Sequence, residues 1–92
     1  METPPLVLRA QELAASLGFE KSCRREDGAL LHVLAARRGI TRAAEIGTGA
    51  GVGAAWMVSA LRPETPFFGA ESDPVLAERA AEIFAADPNV TI

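Results

Sequence analysis

The stretch Ala44-Glu45-Ile46-Gly47-Thr48-Gly49-Ala50-Gly51-Val52-Gly53 constrains this chain more than any other. Four of its eight glycines stand here at alternate positions. A short apolar run (Ala43, Ala44, Ile46) leads in, and a helix-forming run (Ala54 to Leu61) leads out. That order predicts strand, tight glycine loop, helix. A residue without Cβ takes positive φ and lets the backbone lie against a ligand. A loop that opens a helix also presents free N–H groups and the positive end of the helix dipole. It therefore favours an anionic group, either a phosphate or the carboxylate of an amino-acid-like cofactor. The bland alternative is a turn that only packs a helix on a strand, and one or two glycines would suffice for that.

The dinucleotide pattern G-x-G-x-x-G fails from Gly47, because Val52 holds the sixth place. It is met loosely from Gly49, with Gly51 and Ala54, as G-x-G-x-x-A. The fuller match is acidic-x-Gly-x-Gly-x-Gly, through Glu45, Gly47, Gly49 and Gly51. In this segment the chain resembles the first motif of class I S-adenosylmethionine-dependent methyltransferases, and within them the catechol and caffeoyl-CoA type of O-methyltransferase.

Further along, Phe67-Phe68-Gly69-Ala70 predicts a short apolar second strand that ends at Glu71. Glu71 follows Gly51 by 20 positions, where nucleotide-binding βαβ units place an acid for the ribose hydroxyls. Glu71-Ser72-Asp73-Pro74 is similar to the acidic-x-(Asp/Asn)-Pro segment of the same methyltransferases. The resemblance implies that Glu71 holds the ribose and that Ser72 lies near the adenine. Asp73 reads as an N-cap with Pro74 at N1.

The resemblance implies an α/β fold: a partial Rossmann-like, doubly wound parallel sheet, the first half of a class I methyltransferase fold, preceded by two helices. Residues 1–39 would form those helices and 40–92 a βαβαβ cofactor-binding half. The cofactor implied is S-adenosyl-L-methionine, held by Glu45, Gly47, Thr48, Gly49, Gly51, Gly53, Glu71 and Ser72. Glu45 breaks the apolar pattern near the end of its strand. A buried carboxylate is costly unless hydrogen-bonded, and the loop N–H groups are its expected partners. Bracing the loop and accepting from the cofactor's ammonium both stay open for it. Family members frequently carry a hydroxyl residue where Gly53 stands, so backbone N–H groups would substitute here. The implied reaction is attack of a small-molecule hydroxyl on the sulfonium methyl group, aided by positioning. Metal-dependent members add a divalent ion. The metal ligands, the third-strand acid and the substrate pocket would lie beyond Ile92, and no catalytic residue is named within the chain. A fragment of a nicotinamide- or flavin-dependent oxidoreductase, or a non-enzymatic interaction module, are the alternative readings.

At 92 residues the chain holds one small domain at most. Its hydrophobic content of 49% and net charge of −3 fit a folded chain and argue against a surface that coats nucleic acid. No apolar run reaches the roughly 20 residues that span a bilayer, and Met1-Glu2-Thr3-Pro4-Pro5 does not open like a signal peptide. The cytoplasm is the expected compartment. Cys23, the single cysteine, has no internal disulfide partner and no metal-ligand neighbour in sequence. Asn89-Val90-Thr91-Ile92 reads as the opening of a strand, which makes the chain look like a truncated piece of a longer sheet.

The remaining elements carry packing rather than chemistry. Thr3 is expected to cap a first helix, with Pro4 and Pro5 in its first turn; Leu6, Ala10, Leu13, Ala14 and Leu17 make its apolar face, and Gly18 ends it. Phe19 to Glu26 reads as a solvated loop, with a flap over the cofactor as the alternative. Asp27 is expected to cap a second helix, with Arg37 and Arg38 at its negative end and Gly39 as the stop. Gly28 matches a glycine of the O-methyltransferases, and the residues just before it, near Cys23, help hold the methionine part of the cofactor in that family. His32 reads as a half-buried surface residue and Trp56 as core filler. A last helix, roughly Pro74 to Ala86, buries Leu76, Ala80, Ile83 and Phe84. An unpaired outer edge on the first strand would invite pairing with a second copy.

Overall fold

The computed structural model describes residues 1–92. Strand and helix signals beyond residue 40 resolve into alternating elements: β1 (Ala43–Ile46), α3 (Val52–Val58), β2 (Phe67–Ala70), α4 (Pro74–Ile83) and β3 (Val90–Thr91). Two helices, α1 (Pro5–Ser16) and α2 (Arg25–Ala35), precede them. The three strands are parallel and ordered β1-β2-β3. In β1 and β2, Ala43 pairs with Phe67 and Ile46 with Ala70; across β2 and β3, Phe67 pairs with Val90.

Register assigns each side chain to a face, because successive strand residues point to opposite sides. Ala43, Glu45, Phe67 and Val90 face the helices. Trp56, Phe67 and Val7 are the largest fully buried side chains, and Phe84 closes the same cluster from α4. Burying each such side chain stabilises by about 1.5–3 kcal/mol. The other face carries Ala44, Ile46, Phe68 and Ala70, with Ile46 94% exposed and Phe68 51% exposed. Parallel sheets normally bury both faces. Here only one is covered, and β1 has a free outer edge.

Several helix ends differ from expectation. Pro4, not Thr3, is the N-cap of α1, and no side chain caps it. Thr3 instead accepts a hydrogen bond from the Arg25 guanidinium. The α1 stop is as expected: Gly18 takes φ +62°, its N–H donates to Ala15 O, and Phe19 N–H donates to Ala14 O. That pair of bonds folds the chain sharply back and drops Phe19 against Leu13, Ala14 and Ala50.

Helix α2 begins at Arg25, so Asp27 lies in its first turn and does not cap it; its carboxylate pairs with Arg24 Nε at 3.1 Å. The helix ends at Ala35, before Arg37, Arg38 and Gly39. Gly28 is fixed by close approach. A Cβ there would stand 2.2 Å from Trp56 Nε1. His32 is half-buried, as expected, and its Nδ1 donates to the Trp56 carbonyl at 2.9 Å. Helix α4 starts as predicted: Asp73 accepts from Val75 N–H at 2.9 Å and Leu76 N–H at 3.2 Å. It stops at Ile83, three residues short of the expected Ala86. Helix α3 likewise ends at Val58, short of Leu61.

Candidate cofactor site

The glycine loop leaves the top of β1 and turns into α3 over Gly47, Thr48, Gly49, Ala50 and Gly51. Gly47, Gly49 and Gly51 hold φ of +80°, +59° and +93°. An L side chain rarely adopts that region, so the backbone path itself demands these glycines. Gly49 is doubly constrained: a Cβ there would stand 2.8 Å from the Phe19 ring. Phe19 thus lies on the loop, a contact that sequence reading missed.

The loop's N–H groups are largely engaged within the chain. Gly47 and Thr48 both donate to Ala70 O, at 2.8 and 3.1 Å, and Gly51 donates to Thr48 O at 3.0 Å. Gly49 N–H donates to Glu71 Oε1 at 2.8 Å. The second oxygen of Glu71 accepts from Asp73 N–H at 2.9 Å. The acid at the end of β2 therefore curls back onto the glycine crest, one strand over.

Glu45 behaves otherwise. The expectation that it accepts from the loop N–H groups is overturned. Lying inside β1, it projects to the helix face and under the start of α3, with Oε2 against Gly53, and its buried Oε1 has no hydrogen-bond partner. Burial pushes its pKa up to about 7, while the Thr48 hydroxyl acts in the opposite direction. A carboxylate this poorly solvated favours its neutral form unless a cation or donor arrives.

A hollow of about 200 Å³ opens beside it, lined by Lys21, Ser22, Cys23, Glu45, Thr48 and Gly53 among others. Gly47 borders the same hollow with open space around it. Ser22 Oγ is a second buried oxygen without a partner. Two orphaned polar atoms in one hollow are what a polar ligand would satisfy. The loop before α2 thus supplies part of the wall. Ser22 itself gave no signal in the sequence beyond its place next to Cys23. The Cys23 thiol is pushed up by burial first, then by Asp27 and Glu45, so it is a poor nucleophile. Ser72 is exposed and lies outside the hollow, and Thr48 is buried, with its hydroxyl directed at Ala70 O at 3.5 Å. A larger hollow lies between α1 and α4 and a smaller one below the α2–β1 loop, and neither contains any of the expected residues. No three His, Cys, Asp or Glu side chains gather as a metal-ligand set.

No protein-family profile matches the sequence, and no curated protein matches it significantly. Solved structures do match. TomG of Streptomyces achromogenes, an O-methyltransferase involved in tomaymycin synthesis and solved with SAM, gives a TM-score of 0.82 at 26% identity, over 98% of this chain and 42% of its own. The O-methyltransferase of Bacillus cereus, solved with SAH, gives 0.82 at 18% identity, over 99% of this chain and 44% of its own. A methyltransferase of Geobacter sulfurreducens gives 0.77 at 20% identity, over 98% and 46%. The last two speak for fold alone.

The fold is that of the first half of a class I methyltransferase, with O-methyltransferases as its structural neighbours. This chain spans less than half the length of the structures it resembles.

Proposed function

We propose that residues 1–92 form the S-adenosylmethionine-binding part of an O-methyltransferase that acts on a small-molecule hydroxyl. One observation carries this reading: Glu71 Oε1 accepts from Gly49 N–H at 2.8 Å, so the second acid rests on the glycine crest rather than in solvent. A cofactor laid across the crest meets both strand ends at once. Each Glu71 oxygen has spent one lone pair on a backbone N–H and keeps another for ribose hydroxyls. Glu45 Oε1 and Ser22 Oγ, unpartnered beside the hollow, suit the ammonium and carboxylate of the methionine part. Gly47, Thr48, Gly49, Gly51 and Gly53 supply a floor without side-chain bulk, and Ser72 flanks the adenine end. When bound, the cofactor supplies an electrophilic sulfonium methyl group.

Titration calorimetry with S-adenosylhomocysteine and with NAD tests the reading. Binding of the homocysteine nucleoside, with NAD much weaker, supports it. Tighter NAD binding would transfer the chain to the oxidoreductase alternative. With labelled S-adenosylmethionine and catechols, the 92-residue chain alone should bind the donor without turnover, because none of its residues is placed to activate an acceptor.

The wider assignment follows the same reading. Residues 1–39 are the N-terminal helices and 40–92 the βαβαβ half. No helix is long and apolar enough to cross a membrane. A cytoplasmic location, no nucleic-acid partner and, for the chain in isolation, pairing of two copies along the free β1 edge complete the reading. Sedimentation velocity that gives only monomer would remove the last element.

A further inference from the structure

Three of the four alternating glycines are required by positive φ, but Gly53 is not among them. It is the second residue of α3, where glycine costs up to about 1 kcal/mol relative to alanine. Its reason is space. A Cβ built on Gly53 would stand 2.6 Å from Glu45 Oε2 and 3.8 Å from Glu45 Cδ, with Cys23 Cβ also at 3.8 Å. The Glu45 carboxylate thus enters the space that a side chain at position 53 would take.

We propose that Gly53 is a positioning residue: its bare Cα forms the recess that seats the Glu45 carboxylate beneath α3 and holds it toward the hollow. The contact that a methyl group would make is with the far end of a flexible side chain, not with backbone. Gly53→Ala therefore moves Glu45 rather than breaking the fold. The displaced carboxylate swings to the open mouth of the hollow and regains water.

The groups that act on or beside Glu45 are Cys23 from the loop before α2 and the Thr48 hydroxyl, and Lys21 lines the same hollow. Helix α3 brings no titratable side chain, β2 presents Gly69, and Glu71 is tied to Gly49 and Asp73. None of these is altered by the substitution. A change in Glu45 titration then reports its own displacement.

The ligand arm of the test rests on the donor-binding reading, whereas the titration arm does not. In the ligand-free protein, carbon-13 NMR of the Glu45 carboxyl follows its titration in wild type and Gly53→Ala. The variant should titrate at least about one pH unit lower, toward the ordinary carboxylate range. An unchanged Glu45 midpoint overturns the proposal. A thermal-melting cycle provides a second check, even if the variant is weakened. In a Glu45→Ala background the clash is gone, so Gly53→Ala should raise Tm there by more than it does in wild type. Equal shifts in both backgrounds also overturn it. S-adenosylhomocysteine affinity should fall about tenfold in Gly53→Ala, a loss of one well-placed charged contact, and should fall no further when Glu45→Gln is added. If Glu45 shifts as stated but wild type binds no S-adenosylhomocysteine, the donor reading fails and the positioning role stands.

Discussion

Two carboxylates flank the same crest, and their states are opposite. Glu71 is the first residue beyond β2, free of the sheet's pleat, and it curls back until both oxygens accept backbone N–H groups. Glu45 lies within β1, and the pleat commits it to the helix face, where Oε1 finds nothing. One acid is satisfied by the protein itself. The other keeps one oxygen, Oε1, for something else to satisfy. Buried charge without partners is disfavoured, so the contrast divides the site into a preformed structural half and a half that only a ligand completes.

The largest expected effect comes from the satisfied acid. Glu71→Ala removes acceptors from Gly49 N–H and Asp73 N–H and loosens the crest at its centre. Hydrogen bonds to charged groups contribute about 1.5–3 kcal/mol each, so S-adenosylhomocysteine affinity should drop by about 30-fold or more. Calorimetry that finds less than a threefold loss would break the comparison, since Glu71 would then be a bystander at the strand end.

Next is the pH dependence set by Glu45. Its folded pKa of about 7 lies above the reference value of 4.5, so the folded chain holds this proton more tightly than the unfolded one. Stability from this group is therefore greatest below about pH 4.5, declines as pH rises toward 7, and is flat beyond. Urea unfolding of wild type and Glu45→Gln, compared at pH 5 and pH 8, should show the glutamine variant gaining on wild type at the higher pH. Ligand binding has the reverse sign. A cationic amine prefers the ionised acid, so affinity should rise by up to about tenfold per pH unit below the midpoint and level off above it. The glutamine variant should lack that slope. A pH-independent wild-type affinity would erase the distinction between the two acids.

Much of this site was legible in the sequence because its chemistry is carried by backbone and spacing. The positive φ values at Gly47, Gly49 and Gly51 follow from glycine's freedom, and β2 runs from Phe67 to Ala70 as the apolar tetrad indicated. Glu71 was found by counting from the loop. What could not be counted was where a side chain goes once the sheet forms. The direction of Glu45 depends on β1 register, and the orphaning of Ser22 depends on how an irregular loop closes over the hollow. Both are tertiary facts. The capping errors have a similar origin: Thr3 is held by Arg25, distant in sequence, and α2 starts early with Arg24 and Asp27 paired across its first turn. The uncovered face bearing Ile46 and Phe68 was also invisible, since an apolar strand reads alike whether one face or two are covered.

The smallest effect separates backbone from side chain around Glu71. Asp73 takes part twice: its N–H donates to Glu71 Oε2, and its own carboxylate caps α4. Asp73→Ala keeps the first and removes the second. Losing an N-cap acceptor costs about 1 kcal/mol of stability, readable as a lower midpoint in urea. The Glu71 tether is untouched, because alanine keeps its amide. S-adenosylhomocysteine affinity should then stay within about twofold of wild type, a change of less than 0.5 kcal/mol. Ser72→Ala, which removes an exposed hydroxyl outside the hollow, should match that small figure without the stability loss. If Asp73→Ala weakened binding as much as Glu71→Ala, the crest would depend on α4 being capped, and the division between a self-satisfied acid and a waiting one would have to be redrawn around the helix instead.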